Sequence, residues 1–248
     1  MVDKRRIMKN VILLGLFLLG FAFKSNAQPP YYDDLIILYA DGSYEKLLKK
    51  AEKYTLKPET KNDPLPYLYL AKANFEMSKD QQWLDKYPKA FNQAIGYAGK
   101  CVKKDKEGLV KEENEDFFID LKSTCVEDIR NLVEDEDFNR LRGSIMKLQR
   151  FDKQDVGSWF LLTAAQYRIK DKGSAKITFK EAMAKLEALQ STDNWHSVDF
   201  LMFRMGVLEY AKYCAELGQV EKVRDILGKT KQWMENDEEY MAFYNANI

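Results

Sequence analysis

The sequence predicts an all-helical fold, and three observations support this prediction. Its 248 residues include only twelve glycines and six prolines, a scarcity of turn-forming residues that disfavours a sandwich or barrel of short strands. Apolar residues recur at spacings of three and four in long segments, as they do along one face of a helix. The sequence has no convincing alternation of apolar and polar residues, which a half-buried strand would need. We therefore expect long helices joined by short turns.

Residues 1–27 have the three regions of a secretory signal peptide. Basic residues precede an unbroken apolar run from Val11 to Phe23, and small residues ending at Ala27 follow it. A helix over this run would be about 20 Å long, too short for a hydrocarbon core of roughly 30 Å. We therefore expect cleavage after Ala27, which leaves a repeat domain over residues 28–248. A retained membrane anchor is the weaker alternative.

Composition and leader together predict an exported globular protein. Basic and acidic residues both number 39, and removal of the leader leaves a small acidic excess, which disfavours general attraction to nucleic acid or anionic lipid. The leader, which starts at Met1 or at Met8, ends in a sequence that resembles leaders common in the Bacteroidota. This resemblance implies a periplasmic location, with the inner face of the outer membrane as one candidate place.

The three cysteines, Cys101, Cys125 and Cys214, each lie within an apolar helical pattern. An odd number in an exported protein allows one disulfide at most, with a thiol left over. Cys101 and Cys125 lie at unequal distances from the turn between their helices, which makes a bridge between them geometrically difficult. We favour three buried free thiols, and a single disulfide is the alternative.

Five helical pairs are predicted in order along the chain, separated by short polar, glycine-containing or proline-containing gaps. The helices cover residues 35–39 and 44–54, 64–77 and 88–104, 117–132 and 138–148, 156–170 and 174–190, and 198–217 and 220–233. Pro64 and Pro88 are expected in the first turn of their helices, where a missing backbone N–H costs nothing. The gap around Gly42 is expected to form the first turn.

The fourth pair resembles a tetratricopeptide repeat. Trp159 and Leu162 have the W-x2-L spacing of the first repeat helix, and Ala175, Phe179 and Ala182 supply the small and aromatic positions of the second. The small residues would let the two helices approach closely, while Trp159 and Phe179 would fill the space around their contact. This resemblance implies an α-solenoid of about five tetratricopeptide-like hairpins.

Other parts of the chain resemble the repeat only in part. Glycine-containing turns at Gly42 and Gly218 look like the turn that opens a second repeat helix, and Tyr67 and Leu70 fit the first helix of a repeat with an insertion. The pair over residues 117–151 matches in periodicity alone. A plain helical bundle is therefore the alternative architecture.

No residue pattern in the sequence indicates catalysis or metal binding. His196 is the single histidine, and we interpret it as a surface or helix-capping residue because no Cys or His lies at ligand spacing from it. Residues 228–230 imitate the end of a phosphate-binding loop but lack its first glycine and its preceding strand. The acidic run 135–137 is better explained by favourable charge at a helix N-terminus than by a calcium loop. We predict a non-enzymatic protein without catalytic, cofactor-binding or metal-binding residues.

The resemblance implies that the first helix of each pair lines a concave groove that receives a partner protein. We therefore predict a periplasmic protein-binding scaffold. Two alternatives remain: a soluble subunit of an envelope secretion or motility assembly, and a helical envelope hydrolase. The phasing of the repeat predicts seven groove residues, whose aromatic and basic character suits a partner segment with apolar anchors and some acidic character. They are Leu68, Lys72, Phe75, Phe160, Tyr167, Arg168 and Lys212.

Overall fold

The computed structural model describes residues 31–248, so the predicted signal peptide and its cleavage site lie outside the described residues. Every regular element from residue 31 onward is a helix, and this part of the chain contains no strand. The all-helical prediction is therefore confirmed for these residues. Residues 34–248 form a single compact unit.

Thirteen helices make up this part of the chain. The first seven are α1 (Asp33–Ala40), α2 (Tyr44–Leu56), α3 (Pro64–Lys79), α4 (Gln81–Leu84), α5 (Ala90–Lys104), α6 (Leu109–Glu113) and α7 (Glu115–Glu134). The remaining six are α8 (Phe138–Leu148), α9 (Val156–Arg168), α10 (Lys172–Ala188), α11 (Ser197–Glu216), α12 (Val220–Met234) and α13 (Glu238–Asn247).

The five predicted pairs correspond to α1–α2, α3–α5, α7–α8, α9–α10 and α11–α12. Two differences stand out. Pro88 precedes α5 instead of lying in its first turn, because the short helix α4 and a following turn occupy the connection from α3. The helices α6 and α13 were not predicted, and the first turn of α13 is fixed by Asp237, which accepts a hydrogen bond from the backbone N–H of Tyr240.

Aspartate is the N-cap residue of five of the longer helices: α3, α8, α9, α10 and α13. Each carboxylate accepts a hydrogen bond from a first-turn backbone N–H that has no partner within the helix. The pairs are Asp63 with Leu65, Asp137 with Arg140, Asp155 with Ser158, Asp171 with Ser174, and Asp237 with Tyr240. Within the acidic run 135–137, Asp137 caps α8 as the helix-terminal interpretation expects, whereas Asp135 is the C-cap of α7.

Two hydrophobic cores lie on opposite faces of α9. Leu161 and Ala165 pack into the first core, which α3, α5, α7, α8 and the start of α11 complete. Phe160 and Ala164 pack into the second core, which is completed by α10, α12, α13 and the rest of α11. Because α9 and α11 contribute to both cores, these two helices connect the two halves of the described chain.

The helices α9 and α11 cross at two glycines. A methyl group built on Gly206 would lie closer than 3.0 Å to the carbonyl oxygen of Gly157, and one built on Gly157 would meet the backbone of Met202 and Phe203 as closely. Only glycine at both positions allows the two backbones to approach this far. The crossing therefore depends on Gly157 and Gly206, neither of which belongs to the repeat pattern identified in the sequence.

The fourth pair agrees only in part with the repeat resemblance. Ala175 and Ala182 are fully buried, as expected of small residues at a close helix contact. Trp159 is only half-buried: its Nε1–H donates to the backbone oxygen of Lys153 at 2.9 Å, and the Lys185 ammonium lies 5.4 Å from its ring centre. The expectation that Trp159 fills the space between the helices is thus corrected, because its neighbour Phe160 is the fully buried ring.

The three cysteines are buried and free. Burial raises the pKa of the Cys101 and Cys125 thiols to about 12, and it also raises the pKa of Cys214. Such thiols remain protonated at neutral pH and behave as small apolar side chains. The predicted burial of the three thiols is confirmed.

Candidate functional site

The buried lysine Lys122 on α7 joins three helices through three carboxylates. Its side chain is only 6% exposed, and its Nζ lies 2.7 Å from Asp152 Oδ2 and 2.5 Å from Asp155 Oδ2. It also donates a hydrogen bond to Asp199 Oδ1. The three ammonium protons thus have three carboxylate acceptors. We call Lys122, Asp152, Asp155 and Asp199 the lysine hub.

Local structure fixes each carboxylate of the lysine hub. Asp155 is the N-cap of α9 and accepts from the Ser158 backbone N–H at 2.5 Å, while Asp152 lies in the turn that leads into this helix. Asp199 lies in the first turn of α11 and accepts from the backbone N–H of His196 at 2.7 Å. The hub therefore fixes the starts of α9 and α11 against the middle of α7.

The charges of the lysine hub keep Lys122 protonated. Burial opposes the ammonium charge, but the nearby carboxylates outweigh burial and raise the pKa of Lys122 well above its usual value. Burial also opposes ionisation of Asp152, yet Lys122 and Lys111 hold the pKa of that carboxyl below its usual value. Burial raises the pKa of Asp155. A lysine held in this state cannot serve as a nucleophile or general base at neutral pH.

The carboxylates of the hub have the arrangement of a cation site. One oxygen from each of Asp152, Asp155 and Asp199 lies within 4.8 Å of the others. The Lys122 ammonium lies among these oxygens and bonds to all three carboxylates. The charge that a bound metal ion would supply there thus comes from a side chain of the protein.

A cleft of about 740 Å³ lies over the hub. Its lining includes Lys122 and Asp152 of the hub, the apolar side chains of Phe118 and Val198, and the half-buried ring of Trp195. The cleft is formed by the α6–α7 segment, the turn before α9 and the connection from α10 to α11. Its rim carries exposed carboxylates from Glu112, Glu115 and Asp193.

His196, the residue that precedes α11, also lines this cleft. Its Nε2 is 4.0 Å from Glu115 Oε1, and its Nδ1 is 3.6 Å from Asp199 Oδ2. His196 occupies the N-cap position of α11 and is partly exposed, but its side chain makes no capping hydrogen bond; the Asp199 carboxylate accepts from the His196 backbone N–H instead. Nucleophilic catalysis would need a hydroxyl or thiol beside the imidazole, and the residues that line the cleft include no Ser, Thr or Cys.

Three of the seven predicted groove residues lie in the interior of the protein. Leu68 and Phe75 are each 1% exposed within the first core, and Phe160 is fully buried in the second. The assignment of these three to an open groove is corrected. The helices α3 and α9 are packed on more than one side, so positions outside the repeat's inter-helix stripe also meet neighbouring helices.

The other four predicted groove residues are partly exposed but engaged within the chain. The Lys72 ammonium donates to Asn114 Oδ1 at 2.7 Å, and Tyr167 stacks on Tyr213 with ring centres 5.1 Å apart. Arg168 makes a two-bond ion pair with Glu216, and Lys212 pairs with Glu209. The charges of Arg168 and Lys212 are thus compensated within the chain, whereas Lys72 bonds to a neutral amide, so the predicted groove gives less support to an acidic partner. The structure does not bring these residues into the cleft over the lysine hub.

The sequence contains one signal that could have identified the lysine hub. Lys122 occupies a position on the apolar face of α7, four residues after Phe118 and four before Val126, where an apolar residue is expected. A lysine at such a position requires a buried counter-charge. Its partners could not have been identified, because Asp155 and Asp199 resemble ordinary helix-capping aspartates.

None of the helices between residues 31 and 248 has the length and apolar content that a membrane span requires. Comparison of the chain with known protein families, with characterised proteins and with solved structures finds no match.

Proposed function

We propose that this protein is an exported, non-enzymatic scaffold that binds a partner protein, built as an α-solenoid of tetratricopeptide-like hairpins. The observation that carries the proposal is the cleft over the lysine hub, because α7 and α11, which belong to two different helical pairs, line it together with the connections that precede α9 and α11. A concave surface shared by successive hairpins is what a helical-repeat protein offers to a partner. The periplasm remains the location implied by the predicted leader.

The packing order of the helices supports the solenoid. α7 packs on α8, α8 on α9, α9 on both α10 and α11, and α11 on α12. Contacts between neighbours in sequence are typical of stacked hairpins. The bond from Lys122 on α7 to Asp199 on α11 joins pairs that are not consecutive, which a regular solenoid would not allow. We therefore propose a solenoid that curls tightly at this point.

The chemistry of the cleft favours binding over catalysis. The lysine hub is fully hydrogen-bonded within the chain, and the protonated Lys122 offers no lone pair to a substrate. The floor of the cleft, which the lysine hub forms, is therefore rigid and already organised, and this favours recognition of a partner without reorganisation.

Site-specific photo-crosslinking in the native cells tests this function. A photoreactive amino acid at Asn194, an exposed residue of the cleft, should yield a crosslinked product of defined mass with one partner protein. The same amino acid at Lys176, an exposed position on α10, should not yield that product. Identical product patterns at both positions, or no product at Asn194, would contradict a scaffold that uses this cleft.

A further inference from the structure

The lysine hub and its cleft carry more negative than positive charge. Within the hub and its neighbour Lys111, which lies 3.5 Å from Asp152, two lysines face three carboxylates. This group carries one excess negative charge when all three carboxylates are ionised, and the raised pKa of Asp155 lets a bound proton offset part of that charge. Burial makes such a charge costly, because low-dielectric surroundings solvate it poorly.

The rim of the cleft adds to this excess. Glu112, Glu115 and Asp193 line it, and His196 is the remaining titratable side chain in its lining. Charges of one sign in a concave surface reinforce one another and attract the opposite charge. The cleft therefore selects for a cation.

The cleft also presents aromatic surface beside its carboxylates. Trp195 is half-buried and held edge-on by Phe200 and Phe203, with ring centres 5.1 and 5.2 Å apart. A rigid indole beside carboxylates suits a cation that has a flat, weakly hydrated face. A guanidinium group can stack on an indole and still donate paired hydrogen bonds to a carboxylate.

An inorganic cation fits this arrangement less well. The inner oxygens of Asp152, Asp155 and Asp199 already bond to the Lys122 ammonium. Only the exposed rim carboxylates remain, and a divalent ion prefers several oxygen ligands at once. The aromatic wall offers a hard metal ion no ligand.

We propose that the cleft over the lysine hub receives an arginine side chain from an exposed segment of the partner protein, an inference that rests on the proposed scaffold function. The guanidinium stacks on Trp195, bonds to Glu115 at the rim and offsets the excess charge of the hub. The Val198 and Phe118 side chains contact the apolar stem of the arginine. The partner segment is therefore basic at this point.

Titration of the mature protein with the peptide acetyl-Gly-Arg-Gly-amide tests this proposal. Binding is followed through the indole N–H resonance of Trp195 in a protein labelled with ¹⁵N, which is assigned with Trp195→Phe. We expect a saturable shift with the arginine peptide and at least about tenfold weaker binding of the citrulline peptide, which keeps the shape and loses the charge. Equal binding of the two peptides would overturn the proposal.

Two variants and two competing cations test whether this binding is specific to the arginine side chain and to Glu115. Glu115→Gln should weaken the arginine peptide about fivefold, as expected for one partly exposed charge pair, whereas Glu127→Gln on the exposed side of α7 should leave binding unchanged. Equal effects of the two substitutions would show general electrostatic attraction and overturn the proposal. A Trp195 shift with Mg²⁺ or spermidine but not with the peptide would assign the cleft to a free cation and overturn the proposal. The absence of peptide binding would overturn the proposal, and photo-crosslinking at Asn194 in that case would still support the scaffold function.

Discussion

The substitution Gly206→Ala should destabilise the protein by about 3 kcal/mol, the upper part of the range for overpacking a close contact. Its new methyl group would collide with the carbonyl oxygen of Gly157, which belongs to a helical backbone and cannot rotate away. Relief requires α9 and α11 to separate, and both hydrophobic cores depend on these two helices. Urea denaturation followed by circular dichroism measures the effect.

Gly228→Ala is the matched control for this substitution. Gly228 lies within α12, and a methyl group there would meet nothing within 4 Å. Because alanine favours the helix over glycine by up to about 1 kcal/mol, the control should be neutral or stabilising. The double variant Gly157→Ala with Gly206→Ala should lose little more than the worse single variant, since the helices separate only once. A neutral Gly206→Ala variant would mean that the helices do not cross at these glycines.

The substitution Lys122→Met should destabilise the protein by about 3 to 5 kcal/mol at pH 7, the usual cost of removing one partner from a buried ion pair. Methionine preserves the length of the side chain, so the effect reports the loss of charge and hydrogen bonds from Asp152, Asp155 and Asp199. Lys176→Met, at an exposed position on α10, should change stability by less than about 0.5 kcal/mol.

The loss in Lys122→Met should also depend on pH. Without the ammonium, the three carboxylates lie buried beside one another, which raises their pKa in the folded variant above the unfolded value. A carboxyl group whose pKa is higher in the folded than in the unfolded state stabilises the folded state at pH values below its unfolded-state pKa. This stabilisation is lost as the pH rises through the pKa that the group has in the folded state. The gap in stability between variant and parent should therefore narrow as pH falls from 7 towards 5. A gap that is small and constant across this range would place Lys122 at the surface.

Helical periodicity was sufficient to predict the described helices α7 to α12, because apolar residues recur at spacings of three and four along each of them. Prolines and glycines marked several boundaries, and the turns at Gly42 and Gly218 adopt the positive φ angles that glycine favours. Pro88 precedes α5 because the connection from α3 contains the short helix α4. The unpredicted helix α13 begins at an aspartate cap. Local sequence signals are weakest at such places.

The candidate site could not be predicted to the same extent. The four carboxylate and ammonium groups of the lysine hub come from residues 122, 152, 155 and 199, which only the packing of α7, α9 and α11 brings together. The assignment of Leu68, Phe75 and Phe160 to an open groove was wrong for a related reason. Repeat phasing describes one helix contact, whereas α3 and α9 are covered on several sides.

The position of the Lys122 ammonium can be measured directly by NMR in the mature protein labelled with ¹⁵N and ¹³C. Ammonium protons of exposed lysines exchange rapidly with water at neutral pH, whereas those of a buried, fully hydrogen-bonded lysine are protected. We predict one lysine ammonium signal at pH 7 that correlates through hydrogen bonds with the carboxyl carbons of Asp152, Asp155 and Asp199 and disappears in Lys122→Met. The absence of a protected ammonium signal, or its persistence in Lys122→Met, would contradict a cleft built over a lysine hub.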